Sequence, residues 1–105
     1  MKREEFMFTV GFDGATAVVD GAAKRRYARA SVGQLLEAGL YRPAACAALW
    51  DGDEAAVAQV VEAVNKASGG SLRGRDDLVR LFGVPTQVLG GEGPAEALSV
   101  RVQVI

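Results

Sequence analysis

The strongest periodic signal in the chain is a stripe of four valines near its middle. They follow the i, i+3, i+4, i+7 spacing of one helix face: Val57, Val60, Val61 and Val64. Such a stripe predicts an amphipathic helix whose apolar face is buried. Asp53 is suited to cap the start of this helix, and the glycines at 69–70 are suited to end it.

A second helix is predicted directly before this one. Residues 44–50 are apolar and rich in alanine, a strong helix former. Pro43 fits the first helical position, where its missing N–H has no partner, and Asp51-Gly52 interrupts the run. Two helices joined by a tight turn are therefore expected within residues 43–67, and the rest of the chain must cover them.

Two shorter helices are predicted on either side of this pair. Ser31 and Gln34 match a capping box at the start of a helix that Gly39 ends. Residues 76–82 have two acidic residues at their start followed by apolar positions, and a glycine follows them. Pro85 then prevents a helix from continuing.

Alternating apolar positions predict strands near both ends of the chain. In residues 6–12 every second residue is large and apolar: Phe6, Phe8, Val10 and Phe12. Asp13-Gly14 is a favoured two-residue turn, so residues 6–20 are expected to form a β-hairpin. Its register would pair Phe12 with Ala15, Val10 with Ala17 and Phe8 with Val19. Residues 98–104 alternate again, and residues 86–89 are predicted as a further short strand before a turn at 90–94.

Strands grouped apart from helices indicate an α+β fold. We expect a single domain over residues 1–105 with two layers. One layer is a small, mainly antiparallel sheet built from the N-terminal hairpin and the C-terminal strand, and three to four helices cover one face of it. Trp50 and the valine stripe are expected to pack on the phenylalanines. The other sheet face would carry Met7, Thr9, Thr16, Val18, Ser99, Arg101 and Gln103.

Composition narrows the classes of function. The 105 residues include 12 basic and 13 acidic ones, and a net charge of −1 gives no overall attraction to nucleic acid or to anionic membranes. No apolar run approaches the length of a membrane span, and the first residues are too acidic for a signal peptide. One cysteine leaves no internal disulfide, which favours a reducing, cytoplasmic setting.

Candidate chemistry is sparse. The sequence has no histidine, the side chain most used for proton transfer near neutral pH. Asp51, Asp53 and Glu62 fall on the first, third and twelfth positions of a calcium-binding EF-hand loop, but Ala56 occupies the position that needs glycine. Cys46 lies in the apolar helix and has no histidine to activate it. We therefore expect no enzyme activity, no bound metal and no cofactor.

One short segment is densely basic. Residues 21–30 contain four of the 12 basic residues, with a tyrosine among them: Lys24, Arg25, Arg26, Tyr27 and Arg29. Arginines beside an aromatic ring can bind a phosphate backbone and stack on a base. The glycine-rich stretch 69–75 adds Arg73 and Arg75, but it lacks the pattern of a phosphate-binding P-loop. A solvated surface is the alternative interpretation of both stretches.

Two functions from different classes remain open. The favoured one is a non-catalytic protein–protein interaction module that forms a homodimer, because a sheet of few strands has edges that a second chain can pair with. The possible interface residues are Met7, Thr9, Val18 and Arg101. The alternative is a binder of nucleic acid or of a phosphoryl ligand that uses the basic residues around 24–29.

Overall fold

The computed structural model describes residues 1–85 and 100–105. Within these ranges the chain forms, in order, α1 (Arg3–Met7), β1 (Thr9–Asp13), β2 (Thr16–Val19), α2 (Gly21–Tyr27), α3 (Val32–Glu37), α4 (Tyr41–Asp51), α5 (Glu54–Ser68), α6 (Arg75–Phe82) and β3 (Arg101–Val104). The predicted α+β class is confirmed, with α1 and α2 as helices beyond the expected set. The strand predicted at 86–89, the turn at 90–94 and the start of the last strand at 98–99 lie outside the described residues.

Helix α4 is the centre of the hydrophobic core. Every residue from 44 to 50 is buried, and α4 packs against α1, α3, α5 and α6. The helix begins at Tyr41, so Pro43 lies at its third position rather than its first. That position is still in the first turn, where a backbone N–H has no acceptor within the helix. Gly52 ends α4 in the left-handed conformation, with φ of 61°.

Helix α5 is confirmed with its predicted cap and apolar face. The side chain of Asp53 accepts hydrogen bonds from the N–H groups of Ala55 and Ala56, at 3.0 and 3.2 Å. Three of the four valines are buried and Val61 is half-buried. Gly69 ends the helix with φ of 68°.

The shorter predicted helices also form. At α3, the side chain of Ser31 accepts from the N–H of Gln34, whose own side chain accepts from the N–H of Ser31. Helix α6 buries Leu78 and ends at Gly83, but Leu81 is 54% exposed and does not belong to its apolar face.

The strand predicted over residues 6–12 is wrong for its first part. Residues 3–7 form α1, where a Glu5 carboxylate oxygen accepts the N–H of Lys2 at 2.7 Å. Residues 6–9 are all buried, and a strand covered on one face cannot bury consecutive side chains. The Phe6 ring lies 5.3 Å from the Trp50 ring between centroids, so the expected contact of Trp50 with a phenylalanine is made from a helix.

The hairpin forms with a different register. Gly14 and Ala15 make the turn, Asp13 pairs with Thr16, and Phe12 lies opposite Ala17 rather than Ala15. The ladder shifts between Thr9 and Gly11, so Val10 is the extra residue of a bulge. This shift places Thr9, instead of Phe8, opposite Val19.

The described sheet has three strands in the order β1-β2-β3. The C-terminal strand lies beside the hairpin as predicted, and it pairs with β2 in the parallel direction, with Val104 opposite Val19. Strand β2 is therefore central, and β1 and β3 are the outer strands. The side chain of Arg42 joins this sheet to the helices, since it donates to the carbonyl oxygens of Thr9 at 2.6 Å and Phe82 at 3.1 Å.

Candidate functional site

The basic segment, which we define as residues 24–29, lies on α2 and the turn after it. Helix α2 is capped by Asp20, whose side chain accepts from the N–H of Ala23 at 3.2 Å. Sequence reasoning missed this helix, although an aspartate followed by Gly-Ala-Ala is a recognisable start signal. Lys24, Arg25 and Arg26 occupy its last turn, where positive charge is favoured by the helix dipole.

The cations of the basic segment are accessible, and none has an acidic partner in the described part of the chain. Arg25, Arg26 and Arg29 are exposed, and Lys24 is half-buried. Among residues 1–85 and 100–105, no carboxylate lies within 4 Å of any of the four. This segment therefore presents a concentrated positive charge on a protein whose total charge is −1.

Tyr27 does not have the role that its sequence context suggested. Its ring stacks on Phe8, with centroids 6.3 Å apart and planes at 30°. The Arg26 guanidinium carbon lies 5.3 Å from the centroid of the same ring. These contacts hold the half-buried ring in place, so Tyr27 anchors α2 to the core and is not a free platform for a base.

The second basic group, Arg73, Arg75 and Arg80, lies in a different environment. It borders an open depression of about 720 Å³ between the start of α5 and the start of α6. The same depression is lined by three acidic residues, Glu54, Asp76 and Asp77. Equal numbers of cations and carboxylates give this surface no net attraction for an anion.

Two of these arginines, Arg73 and Arg80, form ion pairs with Asp77. It accepts the backbone N–H of Arg73 at 2.8 Å, and its two oxygens lie 3.7 Å from Arg73 Nε and 2.9 Å from Arg80 Nη2. The hydrogen bond from the Arg73 backbone is the main reason that the pKa of Asp77 is lowered, and both guanidinium groups add to the effect. Within residues 1–85 and 100–105, the basic segment on α2 thus has no ion pair, whereas Arg73 and Arg80 beside α6 share the carboxylate of Asp77.

The expected interface residues are only partly at the surface. Met7 and Thr9 are buried, so the expectation that they lie on an uncovered sheet face is wrong. Met7 belongs to α1, and the Thr9 hydroxyl donates to the carbonyl oxygen of Glu5 at 2.7 Å. Val18 is half-buried and Arg101 is exposed, and both belong to the face of the sheet opposite to buried Ala17 and Val19.

The exposed apolar side chains follow the outer strands of the sheet instead. Five large apolar residues are exposed in the described part of the chain, and four of them lie on β1 or at the end of β3: Val10, Phe12, Val104 and Ile105. Val10 is 62% exposed because the bulge displaces it from the ladder. The sequence periodicity did not reveal the exposure of Val10, because it assigned this residue to the covered face of the sheet.

No known protein family helps to interpret these surfaces. The sequence matches no protein-family model, and neither the curated proteins nor the solved structures give a match. Function must therefore be argued from the residues themselves.

Two of the acidic side chains considered as metal ligands have structural partners instead. Asp51 binds Arg3, and Asp53 caps α5. Cys46 is fully buried, and this burial raises the pKa of its thiol to about 11 against the opposing effect of Arg42. Within residues 1–85 and 100–105, no three acidic, histidine or cysteine side chains come together as metal ligands. In the same ranges, none of the helices has the length and apolar character needed to cross a bilayer.

Proposed function

We propose that this protein is a non-catalytic, cytoplasmic protein–protein interaction module that forms a symmetric homodimer through the outer edge of β1. The observation that carries the proposal is the placement of Val10 and Phe12, both exposed, on an outer strand of the three-stranded sheet that residues 1–85 and 100–105 form. An unpaired strand edge with apolar side chains is a template for pairing with another chain.

The backbone of β1 supports this choice of edge. Asp13 and Thr16 close a two-residue turn and therefore exchange hydrogen bonds, so the N–H and C=O of the preceding Phe12 point away from β2. Nearer the start of β1, the Thr9 carbonyl already accepts from Arg42. Among residues 1–85 and 100–105, the part of this edge that no other strand pairs with is therefore the stretch from Val10 to Asp13. Two copies related by a twofold axis can pair this stretch with itself in the antiparallel direction.

The test is the solution mass of the purified protein, measured by light scattering after size exclusion over a range of concentrations. We expect a dimer for the wild type and a monomer for Val10→Lys, because a lysine on an edge strand opposes pairing. Ala58→Lys is the matched control, since it adds the same charge on the exposed side of α5. Val18→Asp tests the face of the sheet that carries Val18 and Arg101, which the sequence analysis proposed as a possible interface.

The outcomes separate the possible interfaces. A monomeric wild type at all concentrations overturns self-association. A dimer that survives Val10→Lys and is lost in Val18→Asp overturns the β1 edge and assigns the interface to the sheet face. Circular dichroism confirms that each variant retains the fold.

A further inference from the structure

We propose that the basic segment on α2 binds the phosphodiester backbone of nucleic acid without reading its sequence. The proposal is independent of self-association, because it uses a different surface. It rests on four cations within six residues that have no acidic partner in the described part of the chain.

The arrangement of these charges is unfavourable for the isolated protein. Arg25 and Arg26 are adjacent and exposed at the end of α2, and Arg29 is exposed in the turn that follows, so these like charges repel one another. The helix dipole compensates cations in the last turn of α2, but Arg29 lies beyond its last residue. By contrast, Arg73 and Arg80 near α6 share the carboxylate of Asp77. An external polyanion supplies the missing negative charges on α2.

The segment is held rigidly enough to serve as a binding surface. Asp20 caps the start of α2, the N–H of Gly21 donates to the carbonyl oxygen of Ile105 at 3.0 Å, and Tyr27 stacks on Phe8. Cations on a fixed helix end lose less freedom when they bind than cations on an unstructured tail.

The same contacts define the kind of nucleic-acid binding. The ring of Tyr27 is occupied by Phe8 and Arg26, so no aromatic residue of the segment is free to stack on a base. The four cations can contact phosphates, which fixes position but carries no sequence information. We therefore expect binding that depends on salt and is indifferent to sequence.

A membrane surface is a poorer match for this helix. Amphipathic helices that bind bilayers insert bulky apolar side chains beside their cations. On α2 the apolar residues Ala23 and Tyr27 pack against the protein core, and the exposed positions are Ala22, Arg25 and Arg26. The segment thus offers charge without an apolar anchor.

The experiment measures fluorescence anisotropy of a labelled oligothymidine strand of about 20 nucleotides, titrated with the full chain, with a mixed-sequence strand and a duplex of equal length as parallel probes. From four phosphate contacts, affinity should fall about 50-fold between roughly 50 and 200 mM salt. The test variant is Arg25→Gln, Arg26→Gln, Arg29→Gln. The matched control is Arg73→Gln, Arg75→Gln, Arg80→Gln, which removes the same charge.

We expect the test variant to lose at least about 10-fold in affinity and to show a shallower salt dependence, because three of four contacts are removed. The control variant should stay within about 3-fold of the wild type. Equal losses in both variants would indicate a net-charge effect and overturn the proposal. It would also be overturned by the absence of wild-type binding at low salt, by a preference for one sequence, or by binding only to phosphatidylserine vesicles. Unchanged circular dichroism shows that a lost affinity is not a lost fold.

Discussion

The guanidinium of Arg3 donates to both carboxylate oxygens of Asp51, at 2.9 and 3.0 Å. This pair joins the first residue of α1 to the last residue of α4. A helix of five residues is too short to be stable alone, so α1 depends on such contacts. The pair sits beside the contact of Phe6 with Trp50, and together they attach α1 to the core helix.

Removing this ion pair should weaken the fold modestly. Both side chains are about one third exposed, so solvent screening reduces a bidentate interaction to about 1 kcal/mol. We expect Arg3→Ala and Asp51→Ala each to lower the free energy of unfolding in urea, and the double variant to lose less than the sum of the two. The exposed pair of Arg80 with Asp77 is the comparison, where Arg80→Ala should change stability by less than about 0.5 kcal/mol. Strictly additive losses at Arg3 and Asp51 would show that the pair contributes nothing.

Phe6 and Phe12 should differ sharply, although they share one alternating pattern in the sequence. Phe6 is fully buried against Trp50, whereas Phe12 is 37% exposed. Phe6→Ala should cost about 3–5 kcal/mol, the usual loss for an aromatic side chain in a core. Phe12→Ala should cost about 1 kcal/mol or less. Urea unfolding followed by the fluorescence of Trp50, the single tryptophan, measures both, and equal losses would contradict the assignment of Phe6 to the core.

Gly21 is required by the close approach of α2 to the end of β3. A Cβ atom at this position would lie 2.6 Å from the carbonyl oxygen of Ile105 and 2.7 Å from Cγ1 of Val104. Gly21→Ala should therefore destabilise the protein by about 1–3 kcal/mol, as overpacking does. Gly33→Ala is the control, because its nearest contact is an ordinary 3.5 Å to Gln59 and alanine favours the helix. Thermal unfolding should move the two melting temperatures in opposite directions.

The buried thiol of Cys46 should make stability depend on alkaline pH. Its pKa is raised from an ordinary value near 9 to about 11, chiefly by burial. The unfolded chain therefore ionises at Cys46 first, so the contribution of this thiol to stability is constant below about pH 8 and falls as pH rises towards 11, by at most about 3 kcal/mol. The measurement is the difference in unfolding free energy between the wild type and Cys46→Ala, since effects of pH that are common to both proteins cancel in this difference. A difference that does not change from pH 8 to pH 11 would contradict this prediction.

The elements that sequence reasoning predicted well are those with local signals. Asp53 caps α5 within three residues of its own position, and Gly52 and Gly69 end helices through their own backbone conformation. The sequence of α1 has no equally clear helix signal, because the spacing of Phe6 and Phe8 also suits a strand. What holds α1 in place is contact with α4, through Phe6 against Trp50 and Arg3 with Asp51, and no local pattern can reveal these contacts.

In the candidate sites, too, features with a local sequence signal could be predicted, and features that depend on distant contacts could not. The sequence identified the cations of residues 24–29 and the arginines at 73 and 75, but it did not show that Asp77 pairs with Arg73 and Arg80. It could not show that Tyr27 packs on Phe8, since this depends on how α2 returns to the core. The exposure of Val10 was also hidden, because a bulge changes the face of a strand without changing its composition.

The pairing of Val19 with Val104 has a consequence for how the protein folds. The hairpin of β1 and β2 closes over a turn of two residues, whereas β3 joins the other side of β2 from the far end of the described chain. Closing so large a loop costs chain entropy, and contacts of this kind slow folding. During synthesis, the edge of β2 that pairs with β3 must therefore remain without this partner until residues 101–104 have left the ribosome. In that interval it is the strand edge most in need of protection from wrong partners.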